Sequence, residues 1–129
     1  MDIKDVKTIA DLKNITRKVK VAKDLDITTN KSMHSLKNYN FEPKIYGYGK
    51  NYSYCDFDGA DLCGCRFERC NFSFSINLDK AITDKTIFEE CNLSGADLPD
   101  DKIMTKCNKK RFTDKEIEEM FKEEVSKEI

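Results

Sequence analysis

From residue 55 onward, large apolar side chains return at every fifth position. Written in fives, the segment reads CDFDG, ADLCG, CRFER, CNFSF. Cys55, Ala60, Cys65 and Cys70 fill one column, and Phe57, Leu62, Phe67 and Phe72 fill a second, two residues further on. After the stretch SINLDKAITDK the pattern resumes one residue out of phase as TIFEE, CNLSG, ADLPD, with Thr86, Cys91 and Ala96 beside Phe88, Leu93 and Leu98. A helix repeats at 3.6 and a strand at 2, so a repeat of five requires the chain to turn at fixed intervals, the mark of a solenoid. If each unit is one side of a four-sided coil, both columns point inward and stack at the strand spacing of about 4.8 Å. The other three positions of each unit then face solvent. Seven units supply fewer than two regular coils, or three when the interrupted section is counted. The interruption at 75–85 is expected to be a loop or a distorted coil.

Both flanks read as caps, because a short stack exposes two apolar ends. In FTDKEIEEMFKEEVSKEI, Thr113 and Glu116 form a capping box, with Phe112 and Ile117 placed as a hydrophobic staple. Ile117, Met120, Phe121, Val125 and Ile129 then line one face of a C-terminal helix. That face either seals the last coil of its own chain or pairs with a second copy, and both roles are compatible. On the N-terminal side, Ile3, Val6, Ile9 and Leu12 suggest a short helix to about Asn14, and KVKVAKDLDI alternates as a strand does. Leu25 and Ile45 lie one four-sided turn apart, but the columns between them do not hold. The organisation expected is one structural domain: an N-terminal cap over 1–54, a solenoid over 55–103 interrupted at 75–85, and a linker and helix over 104–129.

The units resemble those of the pentapeptide-repeat family, which read A(D/N)LXX. GADL occurs twice, at 59–62 and 95–98, and CNLSGADL follows the same style. The resemblance covers 55–74 and 86–100, and it implies an all-β solenoid, a right-handed quadrilateral β-helix. It also implies that related chains dimerise through C-terminal elements.

Four of the six cysteines occupy the small column, where a thiol acts as a small hydrophobe; Cys63 and Cys107 fall outside it. Cys63 and Cys65 are the one pair with a claim to zinc, but C-x-C is not the usual spacing and no second pair matches it. Core filling is the reading adopted, with no metal and no cofactor. His34, the only histidine, has no patterned partner, and no nucleotide, metalloprotease or nucleophile-elbow motif is present, so the chain is read as a non-enzyme.

Apolar residues make up 39% and charged residues 36%, as in a folded, soluble chain. No apolar run is long enough to cross a bilayer and the start MDIKDVK has no signal-peptide character, so a cytoplasmic location is expected, in a bacterium or a phage-infected one. Net charge is only −1, but residues 1–54 carry 11 cations against 6 acids and residues 55–100 carry 4 against 10. On a rod, spaced carboxylates can imitate duplex phosphates, which lie about 1.7 Å apart along the axis. By resemblance, pentapeptide-repeat proteins include gyrase-binding DNA mimics. The leading expectation is therefore a DNA-mimic inhibitor of a bacterial DNA-binding or RNA-guided enzyme, a topoisomerase or a defence nuclease such as a CRISPR effector. Its binding residues would be Asp56, Asp58, Asp61, Glu68, Glu89, Glu90 and Asp97.

The alternative surface is IYGYGKNYSY. Tyr46, Tyr48, Tyr52 and Tyr54 sit at even positions and would share one face of an extended strand. The first expectation is that the rings pack over the open end of the first coil; the alternative is that they serve a protein-binding adaptor or anti-defence inhibitor that works without DNA mimicry, and less well a site for single-stranded nucleic acid. Direct nucleic-acid and membrane binding are not expected.

Overall fold

The computed structural model describes residues 6–8, 10–11, 20–21, 31, 33–41 and 46–127. Its strands are short: β1 (Lys20–Val21), β2 (His34–Ser35), β3 (Tyr46–Tyr48), β4 (Arg66–Glu68), β5 (Ile87–Glu89) and β6 (Met104–Thr105), followed by the helix α1 (Asp114–Lys127). All pairing is parallel. β1 pairs with β2, and β3, β4, β5 and β6 form a four-stranded sheet in that order. Gly47 stands beside Phe67, Phe67 beside Phe88, and Phe88 beside Met104.

Three further ladders run alongside that sheet. Ser35, Asp56 and Ile76 form one; Asn40, Asp61 and Ile82 another; Asn51, Asn71, Asn92 and Asn108 the third. Successive members lie 20 or 21 residues apart, except that the last step is 16. The chain therefore returns on itself about every twenty residues, in a solenoid-like stack.

The period of five has a local cause. Met33, Asn38, Tyr54, Arg69, Phe74, Lys85, Glu90 and Lys106 all have φ between 51° and 60°, and Gly49, Gly59, Gly64 and Gly95 occupy the equivalent corners. One left-handed residue per unit turns the chain. At several of these corners a short polar side chain three residues earlier folds back on the turn: Asn51 Oδ1 accepts from Ser53 N at 3.0 Å, Asp61 from Cys63 N at 3.0 Å, Asn71 from Ser73 N at 2.9 Å and Asn92 from Ser94 N at 3.0 Å.

Inside, the large column holds Leu36, Phe41, Tyr52, Phe57, Leu62, Phe67, Phe72, Phe88 and Leu93, all with no exposed surface. Stacking between returns is direct: Tyr52 lies on Phe72 and Phe67 on Phe88, each pair 5.3 Å between ring centres. Gly47 leaves the site above Phe67 empty of side chain, and the Phe41 and Tyr52 rings close it edge-on at 6.4 and 5.9 Å. The small column is more than filler. Cys70 Sγ reaches Gly47 O at 3.5 Å, Cys91 Sγ reaches Phe67 O at 3.3 Å and Thr86 Oγ1 donates to Leu62 O at 2.7 Å, each a carbonyl of the preceding return.

Several boundaries differ from the sequence reading. Residues 34–41 and 46–54 already take part in the ladders, so they belong to a return of the stack and not only to a cap. At 75–85 the ladders continue through Ile76 and Ile82. The one extra residue is absorbed in a short 3-10 turn, Leu78–Lys80, after Asn77 at φ 62°, and Leu78 enters the core. Cys107 joins the small column through its Sγ contact to Phe88 O at 3.3 Å, because the last return is shortened and places it below Cys91. Met104 to Asn108 likewise remain in the ladders, so the linker starts later than 104. Of the expected N-terminal helix, residues 6–8 are described outside helix and residues 10–11 as helix, with Thr8 and Asp11 forming a reciprocal cap. Leu25, Ile45 and most of KVKVAKDLDI lie outside the described residues.

The capping box of α1 is present, with Glu116 N donating to Thr113 Oγ1 and Thr113 N to Glu116 Oε1, both at 3.2 Å. The staple pair Phe112 and Ile117 belongs to a second small cluster with Val6, Phe74, Tyr54 and Met120. Tyr54, Phe74 and Phe112 stack in a row at 5.4 and 5.3 Å. Because Tyr54 and Phe74 are corner residues, α1 is fastened to the flank of the stack.

Candidate interaction surface

The outward side chains of β3, β4 and β5 form a patterned face. Tyr46, Arg66 and Ile87 share one column, and Tyr48, Glu68 and Glu89 share the next, with Arg69 and Glu90 at the adjoining corner. Strand alternation puts Gly47, Phe67 and Phe88 inside and these residues outside.

The face is held by its own contacts. The Arg66 guanidinium stands 5.4 Å from the Tyr46 ring centre and donates to Glu89 Oε2 at 2.6 Å. Arg69 stands 5.9 Å from the Tyr48 ring centre, donates to Tyr48 Oη at 3.0 Å and pairs with Glu90 at 2.9 Å. These two partners, Glu90 first, hold Arg69 still more firmly protonated than usual. The Tyr46 hydroxyl donates to Glu68. The two rings lie 6.1 Å apart and remain 45% and 49% exposed, with Ile87 at 44% below them. Large apolar and aromatic groups this open are infrequent here, which is what makes the face a candidate site.

The four tyrosines do not share one face. Gly49, at φ +65°, turns the chain after Tyr48, so Tyr52 is sealed in the core and Tyr54 stacks on Phe74 at the flank. Only Tyr46 and Tyr48 look outward together.

Nor do the seven acids. Asp56 lies in the ladder with Ser35 and Ile76, Asp61 in that with Asn40 and Ile82, and Glu68 and Glu89 on the tyrosine face. Each is engaged. Asp56 accepts from Asp58 N at 3.1 Å and Asn77 Nδ2 at 2.9 Å, Asp61 from Cys63 N, and Asp97 from Asn77 N at 2.9 Å. Asp58 faces Lys37 at 4.0 Å. Asp56 and Asp61 hold turns in the way Asn51, Asn71 and Asn92 do without charge, and that role is what solvent-exposed spacing in the sequence concealed.

Of the helix residues, Ile117 is buried and Met120 partly so in the flank cluster; the side chains of Phe121 and Val125 lie outside the described residues. Cys65 is sealed in the core whereas Cys63 lies partly exposed at a corner, so the two do not converge on one ion. Among the described residues no group of three or more histidine, cysteine or acidic side chains is placed to hold a metal. Burial pushes the Cys55 thiol up to about 12, and its hydrogen bond with Cys70, followed by burial, pushes Cys91 up; these thiols stay protonated. Among the described residues, no helix is long and apolar enough to cross a membrane.

Residues 53–82 match the family model described as pentapeptide repeats, in 8 copies, whereas no curated protein and no solved structure matches the chain. The match spans the regular columns of 55–74 and extends through the Leu78–Lys80 turn, and repeats of this kind generally serve structure and interaction and not catalysis. That segment therefore carries pentapeptide repeats, in line with the columns read from the sequence.

Proposed function

We propose that this chain is a non-enzymatic interaction protein that recognises a protein partner through the face built on Tyr46 and Tyr48. One observation carries the reading: two exposed rings, pinned by Arg66 and Arg69, stand beside exposed Ile87 on an ordered parallel sheet. Tyrosine and arginine are the residues that dominate binding at protein interfaces, and rings already held in place lose little freedom on docking. The platform is a right-handed quadrilateral β-helix, and the setting is the bacterial cytoplasm. The partner class is a DNA-binding or RNA-guided enzyme of the bacterium, which the chain inhibits. A homodimer contact through α1 belongs to the same proposal.

The second reading is DNA mimicry, supported by the surplus of acids over residues 55–100. It ranks lower because Glu89 and Glu90 are neutralised by Arg66 and Arg69, and because the acids spread over three ladders. One capture experiment separates the two. Tagged protein is exposed to bacterial lysate and the bound proteins are identified. Tyr46→Ser with Tyr48→Ser is expected to abolish capture, while replacement of Asp58 and the exposed Asp79 and Asp84 by serine, which leaves Glu89 and Glu90 on the arginines, does not. The reverse outcome, with capture displaced by duplex DNA, would replace this proposal by mimicry.

A further inference from the structure

β6 closes the sheet, and among the described residues no strand pairs with its far edge. The hydrogen bonds of the last return show what that edge offers. Thr105 O accepts from Glu90 N at 2.8 Å, while Asn108 N donates to Cys91 O at 2.9 Å and Asn108 O accepts from Leu93 N at 2.8 Å. Thr105 and Asn108 are therefore turned toward the preceding return. In a parallel ladder, alternate residues serve opposite neighbours. The carbonyls of Met104 and Cys107 and the N–H groups of Lys106 and Lys109 are thus turned away from it. One return earlier, Glu90, Cys91 and Leu93 present the same sequence of groups, and that is how the last return is held.

The side chains around this edge have a definite chemistry. Ile103, Met104 and Cys107 are partly buried against the core and make an apolar floor. Lys102 and Lys106 are exposed and form no ion pair among the described residues, whereas Lys109 is committed to Asp101 at 2.7 Å. Lysines at a strand edge oppose pairing with an identical edge, since like charges would meet. A second copy docked on this rung by a two-fold axis would set Lys102 and Lys106 against their own counterparts. A strand carrying carboxylates meets no such penalty.

We propose that the β6 edge takes up an extended, acidic segment of a partner protein as an added strand. Its backbone continues the ladder through Met104, Lys106, Cys107 and Lys109, its apolar side chains lie on Met104 and Cys107, and its carboxylates meet Lys102 and Lys106. This surface is separate from the tyrosine face, and the proposal stands independently of that reading.

The probe is a short blocked peptide of alternating glutamate and valine, titrated into the full chain while amide exchange is followed residue by residue. The expected result is slowed exchange at Lys106 and Lys109, lost when the peptide backbone is N-methylated. Lys102→Glu with Lys106→Glu, both exposed and without an ion-pair partner among the described residues, should weaken the peptide about tenfold or more, as reversal at two ion pairs implies. Absence of protection at Lys106 and Lys109 at millimolar peptide, or equal binding by the double variant, overturns the proposal. So does sedimentation showing a dimer that the double variant disrupts, which would assign the edge to a second copy.

Discussion

Replacing Gly95 by alanine places a Cβ 2.4 Å from Phe74 Cδ1 and 2.5 Å from its Cε1. The ring cannot step aside, because it is stacked between Tyr54 at 5.4 Å and Phe112 at 5.3 Å. Forcing extra volume into so closed a site costs about 1–3 kcal/mol. The backbone, at φ +70°, adds about 1–2 kcal/mol for any residue with a Cβ. The sum is about 2–5 kcal/mol, a large part of the stability of a small domain. Gly49→Ala is the control. Its φ is +65°, but nothing lies within 4 Å of the added Cβ, so only the backbone contribution remains. Urea unfolding of both variants isolates the difference: the midpoint of Gly95→Ala should fall well below that of Gly49→Ala with the slope unchanged. Gly59→Ala should fall between them, since its Cβ meets Asn38 Oδ1 at 2.1 Å, the movable end of a side chain. Equal losses at Gly95 and Gly49 would refute the claim that the aromatic row fastens α1 to the flank.

Two further outcomes are expected. Asn71→Ala removes the acceptor for Ser73 N and should cost about 1 kcal/mol, whereas Asn71→Asp keeps it and should stay near wild type by urea midpoint; a loss as large for aspartate would show that charge, and not turn formation, decides these positions. Stability should also fall in alkali. The Cys55 thiol is raised in the fold from 9.0 to about 12, so the unfolded chain loses that proton first, and stability is full below about 9 and declines as pH rises toward 12. Midpoints measured across that range should flatten in part in Cys55→Ala; an unchanged slope would assign the decline to other groups.

The five-residue period was readable because it has two independent residue-level causes, a corner at φ near +55° and a side chain that caps it, both of which leave the inward columns in strict order. Where the corner spacing or the column residues change, the order is lost from the sequence while the ladder persists. At 75–85 one additional residue is taken up by the Leu78–Lys80 turn, and the core position passes to Leu78. In the 34–54 return, the large column survives as Leu36, Phe41 and Tyr52, but the positions two residues before them hold His34, Tyr39 and Lys50. His34 is matched on its far side by Lys20 and not by a residue twenty back, so the requirement for a small side chain between two regular returns is relaxed there. The outward tyrosine pair was half legible: alternation holds through Tyr46 and Tyr48 and fails at Gly49, and glycine alone does not announce which corners turn.

Some acids of this chain are architecture and others are chemistry. An aspartate three residues before a corner satisfies a backbone N–H, and asparagine does so equally well at Asn51, Asn71 and Asn92. Selection for the turn therefore admits charge without requiring it, and a count of acids along a repeat of this type overstates the field that the surface presents. Glu89 and Glu90 are not turn-formers, yet they lie opposite Arg66 and Arg69 at 2.6 and 2.9 Å, where their charge is spent on holding two guanidinium groups against Tyr46 and Tyr48. The acids of this face thus act on a partner through the rings they position, and loss of Glu89 or Glu90 should loosen the tyrosines before it alters any long-range attraction.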